Sequence, residues 1–166
     1  MIEFRKLTIK DKIAFEEYMR EWSNLEEIIP TATNYKRYNS FEDMIEIFEM
    51  RESGQEWVKN TTFFYFIDGV IIGAANIRHT LTKDLLNTGG HIGYGVSQSY
   101  RGQGYATKIL QKSLAFARSI GIEKALITCD EDNIASSRVI IKNGGLEDKP
   151  YYQSNGVKSR RFWIDI

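Results

Sequence analysis

The segment Tyr94-Gly95-Val96-Ser97-Gln98-Ser99-Tyr100-Arg101-Gly102-Gln103-Gly104-Tyr105-Ala106-Thr107 constrains this chain more than any other. It reads as a strand that ends, a short turn, and a glycine-bearing loop that opens a helix. The first N–H groups of a helix have no internal partner, and with the helix dipole they make a site for a phosphate or pyrophosphate. Gly102 and Gly104 let the backbone approach such an anion, and Arg101 can add a charge-assisted contact. A Gly-x-Gly pair also serves plain strand-to-helix geometry, so the pattern alone leaves both readings open.

Two other phosphate loops can be tested. A Walker loop needs Gly-Lys-Ser/Thr, which does not occur. A dinucleotide loop wants a small residue where Thr107 stands, and Asp130 ends the next strand. That fold opens its first strand with the loop and needs several strands afterwards, whereas here the loop begins near residue 101 of 166. The strand before the loop adds a clue. Gly93 and Gly95 flank Tyr94, and glycines inside a strand mark a bulge or a close approach. Either a peptide-like ligand arm pairs with the strand there, or a helix packs closely over it.

Elsewhere the pattern is readable in outline. Ile2 to Leu7 alternates as a strand. Thr8 with Asp11 starts a helix whose apolar side carries Ile13, Phe15, Tyr18, Met19 and Trp22. Residues 24–39 are irregular. Ser40 caps a second helix with Met44, Ile45, Ile47 and Phe48, ending before Gly54. Thr62 to Ile67 and Val70 to Ile77 are strands joined by Asp68-Gly69, a tight-hairpin pair. A loop near Leu81–Gly89 leads to the strand His91 to Val96. Gly104 to Ser119 is a helix with Ile109, Leu110, Leu114, Phe116 and Ala117 on one side, stopped by Gly121. Ala125 to Cys129 is a strand, Ile134 to Lys142 a short helix closed by Asn143-Gly144-Gly145, and Arg161 to Ile166 a last strand. The class is mixed α/β, with the ligand-binding machinery in the second half.

Length and charge narrow the rest. The 166 residues suit one domain, 1–166. Lys+Arg and Asp+Glu are both 22, which gives no reason to expect nucleic acid as a partner. Cys129 is the single cysteine, so no intrachain disulfide forms, and with only His79 and His91 beside it no metal site is expected. No apolar run nears the roughly 20 residues that cross a bilayer, and the first dozen residues do not form a signal peptide. A cytoplasmic protein without membrane contact is the expectation, and a homodimer is left open.

The loop residues resemble the GNAT superfamily of acyl-CoA-dependent N-acyltransferases. Its hallmark, Arg/Gln-x-x-Gly-x-Gly/Ala at the start of the central helix, matches Arg101, Gly104 and Ala106. Val96 stands five residues before Arg101, where the family's pantetheine-contacting strand ends. Asn133 looks like the family's asparagine that helps hold the pantetheine arm. The likeness is good over residues 60–149 and general over 8–58. A bacterial branch of acetyltransferases is also resembled through Asn76-Ile77-Arg78-His79, Gly89-Gly90-His91-Ile92-Gly93-Tyr94 and Cys129-Asp130-Glu131-Asp132-Asn133-Ile134-Ala135-Ser136.

The resemblance implies a mainly antiparallel central sheet flanked by helices, with strands splayed at the acyl-CoA site. It implies acetyl-CoA as co-substrate, held by Gly95, Val96, Arg101, Gly102, Gln103, Gly104, Tyr105, Ala106, Thr107, Asn133 and Ser136. It also implies direct attack of an amine on the thioester. The ammonium, of pKa about 10, must lose a proton, and the oxyanion needs a donor such as a backbone N–H near Val96. Many members carry a tyrosine acid seven residues after the asparagine, and here that position is Ile140. Tyr94 is the substitute by location. His91 is the first choice of base, followed by His79, Asp130 and Glu131. Cys129 is expected to be an inert core residue. Glu21, Glu26 and Glu27 could attract a cationic amine, and Trp22, Tyr35, Tyr38, Trp57, Tyr151 and Tyr152 could line its cleft or simply pack. The acceptor stays open among small-molecule amines, antibiotics and peptide or protein amines. The competing reading is a non-catalytic acyl-CoA-binding sensor.

Overall fold

The computed structural model describes residues 1–166. The strands are β1 (Ile2–Arg5), β2 (Asn60–Ile67), β3 (Val70–Arg78), β4 (Ile92–Val96), β5 (Lys124–Asp130), β6 (Leu146–Tyr152) and β7 (Lys158–Asp165). The helices are α1 (Lys12–Arg20), α2 (Phe41–Ser53), α3 (Lys83–Asn87), α4 (Tyr105–Ser119) and α5 (Ile134–Lys142). Strands order as β1-β2-β3-β4 and as β5-β7-β6, and every pairing is antiparallel. The expected mixed α/β, mainly antiparallel architecture is present, divided between β4 and β5.

Helices cover both faces. β2 sends Phe64 and Phe66 into a core with Phe15, Tyr18, Met19 and Met44 of α1 and α2. Its Tyr65 points the other way, to Ile109 of α4, as the two-residue period of a strand requires. A third cluster joins Leu110, Leu114 and Ala117 of α4 to Ile127, Ile140 and Phe162. Fully burying each large side chain contributes roughly 1.5–3 kcal/mol, which makes these clusters the main support of the fold.

Local signals act where they were read. Thr8 and Asp11 form a capping box before α1, and Arg5 grips Asp11 through two nitrogens, at 2.8 and 3.0 Å. Ser40 caps α2 at the Asp43 N–H, and Gly54 ends it with φ +77°. Asp68 and Gly69 both take positive φ in the β2–β3 turn.

Three expectations need correction. Ile13 is 71% exposed. The buried stripe runs 15, 18, 19, 22, and a residue two positions before it lies about 200° around the helix. Residues 83–87 form α3, capped by Thr82, where a loop was expected. β6 was not foreseen at all. Its residues are exposed throughout, so no alternation betrays it, and Pro150 lies within its bulge, on a sheet edge where no ladder bond is lost.

Candidate active site

β4 and β5 share no ladder, and the segment just before β4 joins β5, with the Gly89 N–H donating to Thr128 Oγ1 at 2.9 Å. The His91 N–H donates to the Leu126 carbonyl at 2.7 Å. The Leu126 N–H donates to His91 Nδ1 at 2.9 Å. Gly90 permits the approach, because a Cβ there would collide with the Leu126 carbonyl oxygen. Beyond the joint the strands diverge, and a cleft of about 730 Å³ opens between residues 92–96 of β4 and 128–130 of β5. Its walls are the start of α4, the start of α5, the segment Ile29-Pro30-Thr31, and the side chains of Trp22, Glu27 and Arg78.

The loop before α4 has the geometry of an anion site. Gly102 and Gly104 adopt φ +75° and +86°, and no side chain caps the helix. The backbone N–H groups of residues 102–107 find no acceptor in the protein. Gly102, Gly104, Tyr105, Ala106 and Thr107 line the cleft. Gln103 does not, and its amide donates to the Ser99 carbonyl at 3.3 Å. Arg101 lines the cleft but turns back. Its Nε donates to the Val96 carbonyl at 2.9 Å, and its guanidinium lies 5.2 Å from the Trp22 ring centre. It therefore fixes the end of β4 as well as supplying charge.

The two glycines of β4 face the segment 29–31 and Arg78. A Cβ on Gly95 would collide with the Ile29 carbonyl oxygen, and one on Gly93 would stand 3.2 and 3.3 Å from Nη1 and Nη2 of Arg78. The close neighbours are thus a loop backbone and a guanidinium, where a helix had been one of the readings. Tyr94 points to the opposite face. Its hydroxyl lies 3.0 Å from Ser136 Oγ, and burial pushes it up to about 12. Asn133 accepts from the Ser136 N–H at 3.1 Å and so caps α5, and both line the cleft with Val96 and Gly95.

The histidines are placed differently from the expectation. His91 is buried, and its Nδ1 lone pair, which a base would use, is held by the Leu126 N–H. Burial, with the Arg78 charge nearby, lowers it to about 4. His79 pairs with Thr61 Oγ1 at 2.9 Å and stands outside the cleft. Ile140 is fully buried in the core. The carboxylates that reach the cleft are Glu27 and Asp130, whereas Glu21 bonds to Ser99. Cys129 lines it too, as a thiol that burial pushes up. Of the aromatic candidates only Trp22 reaches the cleft. Tyr38 packs in the α1–α2 core, and Tyr35, Trp57, Tyr151 and Tyr152 stand elsewhere on the surface. Arg78 and the Ile29–Thr31 segment were assigned no role from the sequence. The signals were a charged residue closing an apolar strand and its place in the Asn76–His79 stretch that carries the resemblance.

The family described as acetyltransferase (GNAT) domain matches residues 2–145. The chain belongs to the GNAT acetyltransferase family. This GNAT acetyltransferase uses acetyl-CoA to acetylate an amine acceptor. Solved structures share its fold. RimL, a ribosomal L7/L12 alpha-N-protein acetyltransferase in complex with coenzyme A, aligns with a TM-score of 0.71 at 16% identity, over 99% of this chain and 94% of its own. A GNAT-family acetyltransferase from Streptococcus pneumoniae aligns at 0.69 and 16%, over 100% of both chains. The yncA protein from Salmonella typhimurium, with its cofactor acetyl-CoA, aligns at 0.67 and 14%, over 99% and 93%. No curated protein matches. No helix of this GNAT acetyltransferase is long and apolar enough to cross a membrane.

Proposed function

We propose that acetyl-CoA occupies the cleft between β4 and β5 with its pyrophosphate on the N–H groups of residues 102–107, and that an amine attacks its thioester directly. The observation that carries this is the pairing of diverging strands with a run of unpartnered N–H groups at a helix start. Neighbours of the same fold with acetyl-CoA or coenzyme A bound support it. Asn133 and Ser136 flank the pantetheine arm, and Gly95 and Val96 offer it a strand edge.

The chemistry then divides among few groups. Backbone N–H groups of β4 hold the oxyanion. Tyr94 reaches the cleft as a protonated phenol and donates a hydrogen bond to the departing sulfur, with Ser136 orienting its hydroxyl. A thiolate of pKa about 8.5 leaves readily, so this stabilisation suffices without full proton transfer. We assign His91 to holding the strands together. Glu27 and Asp130 attract the ammonium and pass its proton to solvent.

The test is coenzyme A release from acetyl-CoA against pooled small amines and peptides, beside calorimetry of acetyl-CoA binding. Binding with turnover of at least one amine is expected. Tight binding with no turnover in a broad screen would favour the sensor, and no binding would end both readings.

A further inference from the structure

Arg78 is a cation without a counter-ion. It closes β3, and its N–H donates to the His91 carbonyl. Its side chain folds over Gly93, where Nη1 donates to the Gly89 carbonyl at 3.2 Å. Nε is buried and has no partner. No carboxylate pairs with the group, unlike Arg5, Arg160 and Arg161, which all hold acids. Burial lowers it to about 10 with nothing acidic to offset that, so it stays charged at neutral pH. A desolvated charge lacking its opposite is unfavourable in a fold, and is retained where a ligand brings the opposite charge.

Its position says which ligand. Arg78 lines the same cleft as Glu27 and Asp130. It lies on the Gly93 and Gly95 face of β4, whereas Tyr94 and Val96 turn toward α5 and α4. At about 3.3 Å per residue along the strand, the guanidinium standing over Gly93 lies roughly 8 Å from the Gly95 backbone. That span suits one small molecule carrying both an amine and an anion, and a planar guanidinium fork binds a planar carboxylate through two parallel N–H bonds.

We propose that the acceptor is a small amine bearing a carboxylate, of the amino-acid type, and that Arg78 binds the carboxylate while the amine faces the thioester. This rests on the acetyl-transfer reading above. Glu27 and Asp130 supply the negative side for the ammonium, so the cleft matches a zwitterion. A protein N-terminus would place a neutral peptide carbonyl against Arg78.

The experiment compares L-amino acids with their carboxamides and with the corresponding amines lacking the carboxyl group, by coenzyme A release, in the wild type, Arg78→Gln and Arg78→Lys. Expected is a kcat/KM at least about tenfold higher for acid than for amide. The preference should vanish in Arg78→Gln through a raised KM, and survive in part in Arg78→Lys. Acetyl-CoA affinity by calorimetry should be unchanged in both variants, which also reports that they fold. Equal turnover of acid and amide overturns the proposal. So does a fall in kcat for both alike, which would place Arg78 on the thioester. If no amine in the panel reacts, the CoA-loaded protein is titrated with N-acetylglycine and N-acetylglycinamide. Arg78-dependent binding of the carboxylate alone supports the proposal even where acetyl transfer has failed. Equal binding, or none, overturns it.

Discussion

The Tyr94 hydroxyl stands 3.0 Å from Ser136 Oγ, so a strand residue and the first turn of α5 meet across the cleft from positions 42 apart in the chain. The position one turn further along α5, Ile140, is sealed in the core. The phenol that meets α5 in the cleft therefore comes from β4.

Tyr94→Phe is expected to lower kcat about a hundredfold, the low end for a positioned acid, because a thiolate is already a fair leaving group. Ser136→Ala should have a smaller effect. Acetyl-CoA affinity by calorimetry should hardly change in either. An unaltered kcat in Tyr94→Phe would remove the phenol from the mechanism.

His91 should act on stability. Its folded value of about 4 lies below the usual 6.5, so its contribution is complete above pH 6.5 and is lost as pH falls toward 4. The full shift corresponds to at most roughly 3–4 kcal/mol. Melting temperatures from pH 8 to 4 should fall more steeply for the wild type than for His91→Asn, whose amide oxygen can still accept from Leu126. Turnover of that variant at pH 7.5 should stay close to wild type. A hundredfold loss there would restore His91 as a base.

Gly104 separates conformation from charge. A Cβ there meets nothing within 4 Å, so the penalty comes from φ +86° alone. Gly104→Ala should cost about 1–2 kcal/mol in a denaturant melt. Gly104→Glu adds a charge beside the phosphates and should weaken acetyl-CoA binding on the order of a hundredfold or more. Equal affinities for the two variants would mean that the pyrophosphate lies elsewhere.

Cys129 lines the cleft with its thiol held protonated by burial. Direct attack requires that Cys129→Ala keep turnover within about twofold, once the loss of a buried group, about 1 kcal/mol, is allowed for by working well below the melting temperature. Intact-mass spectra taken during turnover should show no acylated enzyme. An adduct on Cys129 would establish a covalent route.

Local chemistry made much of this protein legible in advance. Thr8 and Ser40 cap helices because a side-chain oxygen one turn from a free N–H has few alternatives. Asp68-Gly69 turns because both residues tolerate positive φ. The α4 stripe and the Arg101–Ala106 motif lie within single elements, and spacing along one helix or loop is a property of sequence. β6 escaped because an exposed edge strand needs no apolar alternation.

What depended on distant segments was decided only by the tertiary structure. Arg101 looked like a free phosphate ligand and instead also ties down Val96. His91 looked like a base, and its lone pair is taken by a backbone N–H 35 residues away. Arg78 belonged to a stretch that carried the family resemblance, and its role emerged only when β3, β4 and the cleft were assembled around it. The sequence by itself determined most of the elements, the glycine loop before α4 and the family, because periodicity, capping and glycine conformations act over a few residues. The tertiary structure decided which polar atoms are already satisfied and which remain for a ligand, because a side chain's partners come from whichever segments the fold brings within hydrogen-bond distance of it.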